Sequence, residues 1–272
     1  VHGARRRDSR LCASDVDTCL KPSARNGKHL GNSIGIGLAV DRGTIPRELP
    51  MSALAPVLDR LDQSLDDSLK RLFELIRIKS ISTDPAYKAD CAEAAEWLVA
   101  DLKTIGFDAS MRATPGHPMV VAHHDGPAGS PHVLFYGHYD VQPVDPLDLW
   151  ESDPFAPALK EIEPGRKVIT GRGSSDDKGQ LMLFVEACRA WKAEHGTLPC
   201  RITLLFEGEE ESGSPSLKPF LEANAAELRA DFAMVCDTGM WDRDTPAISV
   251  SLRGLVGEES AGLRGRGYHP CQ

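Results

Sequence analysis

Apolar runs that finish in acidic residues constrain this chain more than any other feature. VLFYGHYD (133–140), RITLLFEGEE (201–210) and FAMVCDTG (232–239) are each short, rich in β-branched or aromatic residues, and closed by carboxylates. The segments between them follow a helical period. In DDKGQLMLFVEACRAWKAEH (176–195), Leu181, Val185, Cys188 and Trp191 fall on one face, and a further helix is expected near 214–228. Strands alternating with helices predict an α/β fold, a three-layer sandwich around a largely parallel central sheet.

The same patterning begins near Met51. LAPVLDRLDQSLDDSLKRLFELIRI sets Leu54, Leu58, Leu61, Leu65, Leu69, Leu72 and Leu75 at steps of three and four, which predicts one amphipathic helix. A second helix is expected over 88–105, with Ala94, Leu98, Leu102 and Ile105 inward and Gly106 as its stop. Strands are expected near 108–113, 118–123, 132–137, 201–207, 232–237 and 247–254.

Residues 1–50 lack this order and read as a poorly ordered extension, upstream of a natural start at Met51. Arg5-Arg6-Arg7 would suit a targeting presequence, but Asp8, Asp15 and Asp17 argue against one. The pattern is lost again over 260–272, where Gly262, Gly265 and Gly267 alternate with two arginines, too few for a nucleic-acid tail. The pattern divides the chain into an extension (1–50), a regularly patterned domain (51–259) and an unrelated tail (260–272).

Charge narrows the function. Of 31 Lys/Arg and 40 Asp/Glu, residues 1–50 hold nine and five, so the remaining residues hold 22 and 35. An acidic body argues against phosphate-contacting nucleic-acid binding and favours divalent cations. No apolar run is long enough for a membrane helix. Seven cysteines show no CxxC pair, and Cys91, Cys188 and Cys236 sit in apolar patterns, which predicts a reducing, cytoplasmic setting.

His138 and Asp140 stand two apart at a strand end and so share a face. Asp176 and Asp177 lie in a glycine-bounded loop before a helix, Glu209, Glu210 and Glu211 follow one strand, and Asp237 ends another. Each cluster alone also reads as a solvated strand end or as acids at a helix start. Together they gather at the carboxyl ends of strands, where ligand sites of open α/β sheets lie. Converging carboxylates need a cation, and one histidine with several carboxylates and no cysteine suits Zn²⁺ or Mn²⁺. Two ions sharing a carboxylate would form a hydrolytic centre, and a spare carboxylate would take the proton of its water.

GHYDVQP, GRGSSDDKG, EGEEESGS and VCDTGMW, in this order, resemble the co-catalytic zinc peptidases. That family includes carnosinases, cytosolic dipeptidases, aminoacylases and succinyl-diaminopimelate desuccinylases. YDVQP with EESGS resembles its dipeptidase branch most. The resemblance runs over about 52–259. It implies two Zn²⁺, with Mn²⁺ or Co²⁺ as alternatives, and hydrolysis of dipeptides or similar small amides by a metal-bridging hydroxide. His138 and Asp237 match ligands of one ion, Asp176 the bridging carboxylate, and Glu211 a ligand of the other. Glu210 matches the general base and Asp140 the carboxylate that orients His138.

The family's lid domain follows the strand matched by Arg253-Gly254, and the lid and the returning segment each supply a histidine. Neither has a match here, and His269 sits in no matching context. The expectation is a truncated chain of impaired activity, or alternatively an inactive metal-binding or partner-binding fragment. Homodimerisation would run through the lid. A Rossmann-type or flavodoxin-like binding domain would need a glycine-rich phosphate loop after the first strand, and there is none.

Overall fold

The computed structural model describes residues 51–242, 245 and 247–249. The expected extension (1–50), the tail (260–272), His269 and most of the strand expected at 247–254 lie outside them. Residues 247–249, which are described, are not in a strand.

Two helices stand where one was expected, α1 (Met51–Gln63) and α2 (Leu65–Arg77). The break is at Ser64, whose N–H and hydroxyl both donate to the Arg60 carbonyl, at 2.9 and 2.8 Å. A serine hydroxyl bonded back four residues bends a helix. The leucine stripe divides accordingly. Leu72 and Leu75 are buried, whereas Leu58 and Leu65 are 51% and 55% exposed. Helix α3 (Lys88–Ile105) buries Ala94, Leu98, Leu102 and Ile105 as expected, and Gly106 closes it at φ 91°.

The central sheet contains β1 (Asp108–Arg112), β2 (Met119–His124), β3 (His132–His138), β6 (Arg201–Glu207) and β7 (Phe232–Val235), in the order β1-β2-β6-β3-β7. β6, β3 and β7 run parallel, and β2 is antiparallel to both β1 and β6. Only β2 is therefore reversed, and the mixed sheet keeps a predominant direction. Helices cover both faces. On one, α2, α3 and α4 (Lys178–His195) pack Leu75, Leu98, Leu181 and Val185 on Val120, Phe135, Leu204 and Phe206. On the other, α5 (Leu217–Ala223) and α6 (Ala225–Leu228) cover Met119, Val121 and Leu205. The three-layer expectation holds.

The sequence pattern gives no sign of the hairpin β4 (Ala158–Glu163) and β5 (Arg166–Thr170), which pairs apart from the main sheet. Charged residues dilute its alternation, and β4 is exposed along its whole length. Among the described residues, no helix is long and apolar enough to cross a membrane.

Lys178 is fully buried at the start of α4, where a lysine would ordinarily reach water. Its Nζ donates to the carbonyls of Leu75 (3.0 Å) and Ile78 (2.7 Å) at the end of α2, which also accept the N–H groups of Ile78 and Ser80. Lys178→Met is expected to cost about 1–3 kcal/mol, the net worth of two hydrogen bonds at about 0.5–1.5 kcal/mol each. Urea denaturation measures this, and an unchanged midpoint would mean that the lysine does not hold α2.

Candidate metal centre

β3 delivers His138 to the carboxyl edge of the sheet with its ring fully buried. The next residue, Tyr139, turns into the core and donates its hydroxyl to the Pro118 carbonyl at 2.6 Å. Asp140 returns to the side of His138, with Oδ1 3.3 Å and the backbone carbonyl 3.2 Å from Nδ1. The same carboxylate accepts the backbone N–H groups of Glu210 (3.3 Å) and Glu211 (3.1 Å). Asp140 thus ties the end of β3 to the turn after β6, a second task that strand alternation does not reveal.

Opposite Asp140, His138 Nε2 faces Asp176 Oδ1 at 3.0 Å, Asp237 Oδ2 at 3.6 Å and Glu210 Oε2 at 4.0 Å. Donor atoms of His138, Asp176 and Asp237 all lie within 4.8 Å of one another. These three come from the end of β3, the loop before α4 and the segment after β7. The expected site residues meet at one edge, with one qualification. Glu211 is not in this group, and its carboxylate accepts a hydrogen bond from the Gln142 amide. No second histidine joins the group among the described residues.

The triple glutamate is resolved by its contacts. Glu209 is 4% exposed and uses Oε1 on the N–H of His117 and Oε2 on the N–H of Ser216, both at 3.1 Å. It anchors loops, and both of its oxygens are spent away from the His138 group.

Sequence reasoning treated Asp177 only as a helix start, yet its carboxylate is buried and accepts the N–H of His138 at 3.0 Å. Gly137 makes room for it, because a β-carbon there would lie 2.9 Å from Asp177 Oδ2. Oδ1 is buried without a hydrogen-bond partner. The signal available in the sequence was the doubled aspartate in GRGSSDDKG.

Charge crowding sets the electrostatics. Burial pushes the Asp177 carboxyl up to about 7 and that of Glu211 to about 6, and raises Glu210. Burial would lower His138, but its bonds to Asp140 and Asp176 prevail and push it up to about 11. The bond to His138 holds Asp176 below the usual carboxylate range. The cluster favours a cation at Nε2. Ligand atoms of a tetrahedral zinc with bonds near 2.0–2.2 Å stand about 3.4 Å apart, and the 3.0 and 3.6 Å separations here bracket that value. A carboxylate on the other ring nitrogen is the partner that a metal-binding histidine ordinarily has. The residues fit a zinc-class ion.

Comparisons with known proteins agree with this chemistry. Residues 134–264 match the model of peptidase family M20/M25/M40. The chain is 29% identical to the Cys-Gly metallodipeptidase DUG1 of Candida albicans, over 74% of this chain and 44% of that protein. It is 28% identical to the human Beta-Ala-His dipeptidase, over 80% of this chain and 45% of that protein. The crystal structure of human carnosine dipeptidase 1 superposes with a TM-score of 0.63 at 27% identity, covering 69% of this chain and 41% of that one. The chain spans less than half the length of these curated relatives. With a metal-suited carboxylate–histidine cluster on this fold, matched in sequence and in structure, residues 134–264 carry a domain of peptidase family M20/M25/M40.

Proposed function

We propose that this site serves metal-dependent hydrolysis of the peptide bond in dipeptides or similar small amides. The observation that carries the reading is the convergence of His138, Asp176 and Asp237 on one point at the sheet edge. The names of its relatives, a Cys-Gly metallodipeptidase and a Beta-Ala-His dipeptidase, support the substrate class. His138, Asp176 and Asp237 would hold one Zn²⁺, and Asp176 with Glu211 a second, Mn²⁺ or Co²⁺ being alternatives. When bound, such ions polarise the scissile carbonyl and lower the pKa of water between them. Glu210, whose Oε2 lies 4.0 Å from His138 Nε2, would accept that water's proton and pass it to the leaving amine. Asp140 keeps the Nδ1 proton in place, so Nε2 faces the ion.

In this reading residues 51–259 are the catalytic portion, flanked by an extension (1–50) and a tail (260–272). The setting is cytoplasmic, which free Cys91, Cys188, Cys200 and Cys236 support. A second reading, metal binding without appreciable turnover, is favoured by the single histidine of the cluster among the described residues.

Elemental analysis after zinc loading and dialysis, with a dipeptide panel, tests both. Retained zinc that is lost in His138→Ala is expected. Turnover in the ordinary range of about 1–10³ s⁻¹ would favour the first reading, and zinc retained without turnover the second. Wild-type protein that retains no zinc would overturn both readings.

A further inference from the structure

Glu211 is the one expected ligand outside the His138 group, and it is held by a side chain that the functional reading does not use. Gln142 Nε2 donates to Glu211 Oε2. The other oxygen, Oε1, has no hydrogen bond among the described residues. Gln142 is itself exposed but sits between two fixed neighbours. On one side Val141 is buried, pairs with Ile81 and donates its N–H to the Ser80 carbonyl at 2.9 Å. On the other, the Pro143 carbonyl accepts Arg172 Nη2 at 2.9 Å. The Arg172 guanidinium in turn lies 5.1 Å from the centre of the Trp150 ring. The exposed amide thus stands on a fixed support, with its donor aimed at a single carboxylate oxygen.

We propose that Gln142 is a positioning residue for the second ion site, holding Glu211 by Oε2 so that Oε1 is presented to the ion shared with Asp176. This rests on the reading of Glu211 as an ion ligand. A long carboxylate at an exposed turn samples several rotamers, and a neutral donor fixes one of them without adding a charge that would compete with the cation. The Asp140 bond to the Glu211 N–H fixes the backbone, and Gln142 fixes the side chain. Partners of metal ligands are typically worth about 10–100-fold in ion affinity.

The test is a Zn²⁺ competition titration against a chromophoric chelator, on the whole 272-residue chain. Wild type, Gln142→Ala, Gln142→Glu, Glu211→Gln and the double variant Gln142→Ala/Glu211→Gln are compared. Gln142→Ala is expected to weaken by about 10–100-fold the same binding step that Glu211→Gln weakens. Gln142→Glu, equal in length but without the donor, should weaken it at least as much. The double variant should bind no more weakly than Glu211→Gln alone, since the amide then has no ligand to orient. Thermal melting of the metal-free proteins should be unchanged, which separates positioning from folding. Gln142→Ala binding as wild type does, or adding its full effect in the double variant, would overturn the inference and leave the His138 reading standing. Zinc uptake insensitive to Glu211→Gln would also overturn it alone. A wild-type chain that takes up no zinc would instead overturn the functional reading, and this inference with it.

Discussion

Glu210→Gln, in a chain extended to the length of its curated relatives, is expected to keep its ions and lose about 10²–10⁴ of its turnover. Glutamine has the shape of glutamate, so Asp140 can still bind its N–H and His138 can still face the metal. What it lacks is a basic oxygen. Burial raises the Glu210 carboxyl, opposed by His138 and reinforced by Asp237, Asp140 and Asp176, so the residue is more basic than an ordinary glutamate. Activity should fall at low pH as Glu210 becomes protonated, because the protonated acid cannot take a proton from water. Glu211→Ala is expected to differ in kind, with zinc retention weakened first. The assay pairs steady-state kinetics with metal content. Near-normal kcat in Glu210→Gln would remove it as the base. Glu209, the next acid in the chain, is a poor substitute, because both of its oxygens are held by backbone N–H groups.

Glu186→Gln, away from the site, should cost about 3–5 kcal/mol, the usual cost of removing one partner from a buried ion pair. Glu186 lies on α4 with its side chain 9% exposed. Arg71 of α2 grips it with Nε at 2.8 Å and Nη2 at 2.6 Å, and Ser68 adds its hydroxyl at 2.9 Å. Arg189 Nε reaches the same carboxylate at 3.1 Å while its Nη2 engages Asp101 of α3 at 2.6 and 2.7 Å. Glutamine would leave two guanidinium groups facing an amide.

The linkage has a definite sign. Burial raises the Glu186 carboxyl, but the hydrogen bond from Arg71 and the charge of Arg189 prevail, and its pKa falls below the ordinary 4.5. The stability it contributes is present above that unfolded value and is lost as pH falls through the lower folded one. Asp101 is raised, burial being the largest cause, and works in the opposite direction. Urea titrations of both proteins should show their stability difference narrowing between about pH 6 and pH 3. A difference that stays constant over that range would show that the carboxylate charge is not what holds the three helices together.

Local chemistry carried much of this protein. Helix α3 with its glycine stop, the apolar strands, and the placement of His138, Asp176, Glu210 and Asp237 at strand ends or helix starts follow from period, capping and alternation. These are properties of neighbours in the chain, so a sequence displays them. The hinge at Ser64 was less legible, because a serine within a leucine stripe bends a helix only if its hydroxyl turns back to the carbonyl four residues earlier. Hairpin β4–β5 was hidden by charges on an exposed ribbon.

Contacts between residues far apart in the chain were decided only by the tertiary structure. Lys178 is buried because two carbonyls at the end of α2 accept its Nζ, and Glu186 because Arg71 of α2 closes over it. Asp177 faces inward because Gly137 leaves space for it, and Glu211 turns to Gln142 rather than to the His138 group. In each case a polar group leaves water only when a partner from another element is already in place, and nothing in the local sequence records that partner. The sequence by itself determined which residues could form a metal centre and where on the sheet they would stand. Packing alone determined which of them meet, because burying like charges together is tolerable only where distant donors and a cation offset their repulsion.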